Sequence, residues 1–593
     1  MTSRPERLAY PDPVMSTLEL APRAIERPSD AGWTLVGTLD GRSPARVDAA
    51  GLITPCDAGW SLDWWLGADD RWYLPAREPT VRQRRLGAGP VLETTVRIPS
   101  GDARQTVYGA LVDGREAIVV EIYNDSPVPI ALALAIRPYT VDGAEDLDDI
   151  RLIGLDDRVL RVGDGPALVL PRPPGTSGGS ANTDVLGAVL AGRELDWELS
   201  RTGAVPNGVL LYPLPHRTSL RFLLVPSPPP IDGEPVAVAA APDRDEVARG
   251  WDAVIDGGAR LEFPDPGLTA ACNGARARLL LAADTLGPQL AELQPGADQL
   301  LRALAMGGHR IAVAPALAAV GESFPGRLGA TPETGAAVVA AVTLAAELSG
   351  SAPMTQLVET MARTTSLVER AVGRRTLRRL PSLRARARSE PDHEGRTRGS
   401  TSVLDVETEA DPNEDPDLVA VVRHSLARLA RLAGDDLGAD RLQADSPDLP
   451  VTVPPPTIDV VNELLAGASS AGSWCHDDPV SAAAFVVAAR SLLIDDAGDD
   501  LVLVPTYPAA WRGGGTEVLR APTRHGPLSF AIRWHGPRPA LLWDLSPNGK
   551  TAVTIRCPAL DPSWLTTERK GEALLAGSAE PLPPSPGPGE SFS

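Results

Sequence analysis

A chain of 593 residues exceeds what one hydrophobic core usually serves, so two to four domains are expected. With 43% hydrophobic and 22% charged residues it reads as globular, and a formal net charge of -21 argues against nucleic acid or an anionic membrane as partner, since either needs a basic surface. Four scattered cysteines without a Cys-x-x-Cys pair argue against a zinc ribbon or thioredoxin-like site, and sparse cysteine suits a reducing compartment.

Residues 1–29 form an N-terminal extension that lacks the apolar run of a secretory signal, which points to the cytoplasm. Residues 30–262 read as a large antiparallel β-sandwich. Short apolar runs such as Val91–Ile98, Ala117–Tyr123 and Ile130–Ile136 are bounded by turn residues such as Ser100-Gly101 and Asp113-Gly114, and similar runs continue to Val225. Between Asp57 and Tyr73, Trp60, Trp64, Trp65 and Trp72 interleave with Asp57, Asp63, Asp69 and Asp70. Tryptophan rings stack on pyranose faces while carboxylates bind hydroxyls, which makes Trp60, Trp64, Trp65 and Asp63 candidate substrate-binding residues. Tryptophan serves equally as sandwich core.

The pattern changes near Pro264. Alanine-rich stretches with helical spacing fill a first helical part, residues 263–372, beginning with Leu268 to Leu286. Thr331 and Pro332 are a cap and first-turn pair for the stretch 333–349, whose apolar run stops at Glu347 and is too short to cross a bilayer. Residues 373–415 place an arginine-dense block beside an acidic one and read as a charged linker or insertion. Helices resume over 416–498, a C-terminal β unit follows at 499–560, and 575–593 is a proline-rich tail. Only Lys550 and Lys570 are lysines, so nearly all positive charge is arginine, as in high-GC coding.

The strongest motif lies late in the chain. Trp474-Cys-His-Asp-Asp478 opens an alanine-rich helix, Val480 to Leu493, and β-like runs follow as far as Trp543. With the strand-like Asn124 to Pro138 and the helical Leu268 to Leu281, this stretch resembles the six-hairpin glycosidases, the (α/α)6-toroid, glucoamylase-like carbohydrate-active proteins. The resemblance implies a multidomain α+β fold with an N-terminal sandwich, an (α/α)-toroid-like helical domain and a small C-terminal β cap. A full toroid has twelve helices, and about eight are read between 265 and 500, so the toroid is complete or partial.

The resemblance further implies a saccharide substrate, no cofactor, and inverting hydrolysis by two carboxylates roughly 6.5–9.5 Å apart. Asp477 is then the expected base and Glu322 the expected acid, in either order, with Glu463 as a further catalytic candidate. Trp474, His476 and Asp478 are expected to bind substrate. Each has a plainer reading: Asp478 precedes Pro479 and fits an N-cap, Glu463 fits an exposed helix face, and Glu333 near Glu322 suits a helix N-terminus. His476 beside Cys475 lacks further ligands at metal spacing, so no metal is expected. A catalytically inactive glycan-binding or scaffold protein of the same fold is the alternative. Oligomeric state cannot be read from these residues.

Overall fold

A computed structural model describes residues 33–577, except Asp57 and the segments 141–142, 145–146, 148–149, 154–156, 181–184, 193–206, 228–236, 323–330, 350–353, 380–417, 445–455, 466–478 and 548–551. The chain divides into two compact units, Met1–Ile255 with Ala270–Leu281 and Leu465–Asp478, and Asp256–Thr269 with Ala282–Leu464 and Pro479–Ser593.

In the first unit, two large antiparallel sheets share one core. One sheet runs Thr34–Val36, Ala45–Val47, Ile53–Pro55, Ser61–Gly67, Ile130–Arg137, Asn207–Leu214 and Thr176–Ser180, with Trp72–Tyr73 paired beside Ser61–Gly67. The other runs Ile150–Ile153, Val159–Val162, Ala167–Val169, Ser219–Val225, Arg115–Asn124, Gly101–Val112, Leu92–Ile98 and Arg82–Arg85. Strand alternation sorts the side chains of Ser61–Gly67. Leu62, Trp64 and Leu66 enter the core shared by the sheets. Trp65 points the other way, opposite the small Ala133, into a second cluster beneath the helix α1, Val185–Leu190.

The expected platform of tryptophans is therefore corrected. Trp60, Trp64 and Trp65 are at most 2% exposed, so none offers a ring face to a sugar. The pleat drives them inward together with their aliphatic neighbours. Two helices also interrupt the region expected to be β throughout, α1 and α2, Arg244–Asp256. Trp251 of α2 lies so close to Gly89 that a Cβ there would approach it to 2.2 Å. The helix α3, Pro266–Leu281, begins where the composition shifts, and Arg276 donates to the Ile255 carbonyl at 2.7 Å.

The second unit holds α4 Leu286–Ala291, α5 Ala297–Met306, α6 Arg310–Glu322, α7 Pro332–Ser349, α8 Met354–Arg379, α9 Leu418–Leu432, α10 Asp436–Ala444, α11 Ile458–Leu465 and α12 Val480–Leu493. With α3, that makes ten helices among the described residues after Pro264, where about eight were expected. Thr331 caps α7 as expected, its Oγ1 accepting the Thr334 N–H at 3.3 Å.

The helices form two layers. In one, α12 packs on α5, α5 on α7 and α7 on α9; in the other, α4 packs on α6 and α6 on α8. From α5 to α9, consecutive helices alternate between the layers. Those of the first layer run parallel. Thr343 of α7 donates to the Ser425 carbonyl of α9, and one turn further along both helices Arg428 pairs with Glu347. Gly296, before α5, meets Val480 at the start of α12, while Gly308, after α5, meets Pro522, whose carbonyl accepts from Arg490 in the last turn of α12. The four C-termini therefore share one end.

Two further sheets complete this unit. One is Arg260–Glu262, Thr516–Ala521, Leu528–His535, Arg538–Leu545 and Lys570–Leu574; the other is Ile494–Asp495, Leu501–Leu503, Ile555–Cys557 and Asp561–Thr566. The β structure near the C-terminus thus reaches Leu574 and includes a strand from before α3.

Candidate functional site

Each helix of the parallel layer leaves a stripe open at helical spacing. On α5 the stripe is Asp298, Gln299 and Arg302; on α7 it is Thr334, Ala337, Ala340, Leu344 and Glu347; on α9 it includes Val421, His424 and Arg428; on α12 it is Ser481, Ala484, Val487 and Ser491. Most of the remaining surface of each helix packs on neighbours. Glu347 of α7 and Arg428 of α9 pair with each other, and Arg302 of α5 and Glu347 both feel the charges of Arg524 and Asp496.

That region is densely charged. Glu347 pairs with Arg428, and Arg524 Nε lies 3.8 Å from the same carboxylate. Arg490 and Asp496 form a buried two-point pair at 3.2 and 3.4 Å. Arg490 also donates to the Pro522 carbonyl at 2.8 Å, and the Arg524 backbone N–H donates to Asp496 at 3.0 Å. Arg302 feels Arg524, Arg490, Asp298 and Asp496 but makes no hydrogen bond or ion pair with any described residue.

The carboxylates respond differently. Burial pushes Glu347 up, and the opposing charges of Arg428 and Arg524 do not reverse it. Burial also pushes Asp298 up, against backbone N–H groups at the start of α5 and the charge of Arg302. At Asp496 burial again acts upward, but the charge and hydrogen bonds of Arg490, the Arg524 N–H and the Arg524 charge together outweigh it and hold the group below its ordinary value. Desolvation and the nearby arginines lower His424, favouring neutral imidazole. Arg302 is exposed, yet desolvation is the largest influence lowering its pKa, followed by the Arg524 and Arg490 charges.

The residues singled out in the sequence are distributed otherwise. Glu322 ends α6 and is exposed, and Glu463 is exposed on α11. Trp474, His476, Asp477 and Asp478 lie outside the described residues; α12 begins at Val480, with Pro479 rather than an acidic cap before it. Asp63 lies on the face of its strand away from the shared core, accepting from Trp65 Nε1 and from the Trp64 N–H, each at 2.9 Å. Burial raises it, against the charge of Arg137. The charged residues Asp298, Arg302, Glu347, His424, Arg428, Asp496 and Arg524 carry no motif in the sequence; the one signal is Glu347 as the charge that ends an apolar run.

No protein-family profile and no curated protein matches this chain. Among solved structures it is similar to a bacterial glucoamylase complexed with acarbose, with a TM-score of 0.44 and 9% identity over 74% of this chain and 67% of that one. It is also similar to the family-92 glycosyl hydrolase ccman5, with a TM-score of 0.32 and 11% identity over 76% of this chain and 66% of that one. The chain spans about two thirds of the length of each. Both are glycosidases, the class the sequence resembles. Among the described residues no helix is long and apolar enough to cross a membrane.

Proposed function

We propose that this protein acts on an oligo- or polysaccharide as a glycoside hydrolase, with the alternating helices of the second unit forming part of an (α/α) toroid and the charged end of its parallel helices receiving the sugar. The observation that supports the reading is the charge cluster at the C-terminal end of these helices, where Glu347 beside Arg428 and Arg524 is pushed up while Asp496, held by Arg490 and the Arg524 N–H, is pushed down. Glycosidic cleavage needs one carboxyl that keeps its proton and one that is ionised. Glu347 and Asp298 are pushed toward the first state. For the ionised partner the reading retains Asp477, in the segment leading to α12. Glu322 remains a second acid candidate, since it ends the helix from which the chain passes to α7.

The test is hydrolysis of a panel of α-linked disaccharides, with the product anomer followed by NMR. Inversion is expected. Glu347→Gln, Asp298→Asn, Glu322→Gln and Asp477→Asn are compared in turn, and loss of the true acid or base lowers kcat by roughly 10²-fold or more. If all four variants match the parent, the assignment fails.

One observation favours the second reading, a catalytically inactive glycan-binding or scaffold protein: Glu347 and Asp496 are both engaged by arginines, which leaves them less free for proton transfer. Binding on a glycan array without turnover of any panel member would decide for it.

A further inference from the structure

We infer that the sandwich binds a hard cation of calcium's size, with the Asp48 carboxylate and the amide oxygens of Gln83 and Gln105 as its ligands. The site lies wholly within the first unit and is independent of the saccharide reading. Gln83, Thr94 and Gln105 stand side by side on three neighbouring strands, Arg82–Arg85, Leu92–Ile98 and Gly101–Val112. The turn from Asp48 to Leu52 meets this row at two points. Gln83 Nε2 donates to the Asp48 carbonyl at 2.7 Å and to Thr94 Oγ1 at 3.0 Å. Gln105 Oε1 comes so near Gly51 that a Cβ there would stand 2.2 Å from it. Asp48 Oδ1 accepts the N–H groups on either side of Gly51, those of Ala50 and Leu52, which holds the carboxylate at the same turn.

The polar groups gathered here lack what would satisfy them. Gln105 is 1% exposed, yet neither its Oε1 nor its Nε2 has a hydrogen-bond partner among the described residues. Gln83 turns its Nε2 to two acceptors, and its buried Oε1 is left without a partner among them as well. Orphaned buried polar atoms are costly and rare in native proteins. Asp48 has no ion pair among the described residues, and the charge that acts on it is that of another carboxylate, Asp63. Water would satisfy the amides and leave the charge unpaired, whereas a cation answers both the charge and the two amide oxygens. One carboxylate with neutral oxygens suits calcium, which accepts oxygen ligands in flexible geometry, while magnesium demands a near-ideal octahedron. Asp48 and Gln83 are half-buried, so the ion enters from their side. Among the described residues no three His, Cys, Asp or Glu side chains gather around a metal position, so this site depends on its amides.

The test is terbium luminescence excited through tryptophan, on the full chain after EDTA treatment, with Asp48→Asn and Gln105→Leu as variants. Trp64 Nε1 would lie 2.8 Å from a Cβ on Gly51, close enough to sensitise an ion at this turn. Terbium emission is expected in the parent, with calcium displacing it and magnesium at least about tenfold less effective. Both variants should lose the emission. Calcium should also raise the melting temperature of the parent by a few degrees and leave both variants unmoved. Neither variant should melt below the parent in EDTA, since one removes an unpaired charge and the other two orphaned amide atoms. Emission that survives both substitutions puts the ion elsewhere on the acidic surface and overturns the site. Equal displacement by magnesium overturns the choice of a calcium-sized ion. Absence of both emission and a calcium-dependent melting shift overturns the cation altogether and leaves the amides to internal water.

Discussion

Asp48 accepts the backbone N–H groups of Ala50 and Leu52, each at 2.8 Å, and is nonetheless pushed up to about 6. Desolvation is the main cause; the hydrogen bonds oppose it, and the charge of Asp63 adds to it. A raised carboxyl favours the folded state most below its unfolded value near 3.8, and this advantage is lost as pH rises through about 6. At pH 7 the first unit therefore carries an ionised group it would rather hold neutral. Asp48→Asn keeps the accepting oxygen and removes the charge. It should be more stable than the parent at pH 7 by on the order of 1–3 kcal/mol, with the gap closing toward pH 4. Urea unfolding at the two pH values measures this, and a gap that does not change with pH would refute the account. Asp496 is the contrasting case: the two-point Arg490 contact and a backbone N–H outweigh its burial. Whether a buried carboxylate stays ionised depends on whether a matched cation shares its site.

At the scale of elements, the sequence was most legible where a helix buries several faces. The spacing that predicts 333–349 and Val480 to Leu493 matches α7 and α12 closely, because alanine and valine mark both helix propensity and packing on two sides. Elements with one wet face were missed. The polar α2 was absorbed into a region dense in short strand-like runs, and α10 is a nine-residue helix whose signal is local: Gly434 at φ 84° ends α9, and Asp435 Oδ1 then accepts the Gly438 N–H at 2.9 Å. The charge cluster was hidden for another reason. Its arginines look like the general arginine usage of the chain until four separate elements bring them together. The parallel layer also depends on close approach at its ends. Gly296 has φ 87°, and an added Cβ would lie 2.5 Å from Val480 Cγ2. Gly296→Ala should cost about 1–2 kcal/mol in thermal unfolding. Val480→Ala in the same chain should recover only the steric part, since the backbone conformation stays unfavourable for alanine. Full recovery would mean that the clash alone sets the cost.

At the scale of the whole molecule, neither unit is a continuous stretch of chain, and that limits where it can be cut. The first unit needs Ala270–Leu281 from α3. Arg276, 2% exposed, donates there to the Ile255 carbonyl at 2.7 Å, and Leu281 reaches within 3.4 Å of where a Cβ on Gly37 would stand. A fragment ending at residue 255 keeps every sandwich strand and loses this cover, uncovering apolar surface and a buried carbonyl. A fragment ending at residue 281 keeps both. The longer fragment should therefore melt cooperatively by circular dichroism, and the shorter should melt several degrees lower or without a sharp transition, since about 1 kcal/mol corresponds to a few degrees at this size. Equal melting of the two would mean that α3 contributes nothing to the sandwich. The composition shift near Pro264 marks where the secondary structure changes from sheet to helix. The boundary of cooperative folding, by contrast, is set by which residues each segment covers, and α3 covers the sheets that precede it.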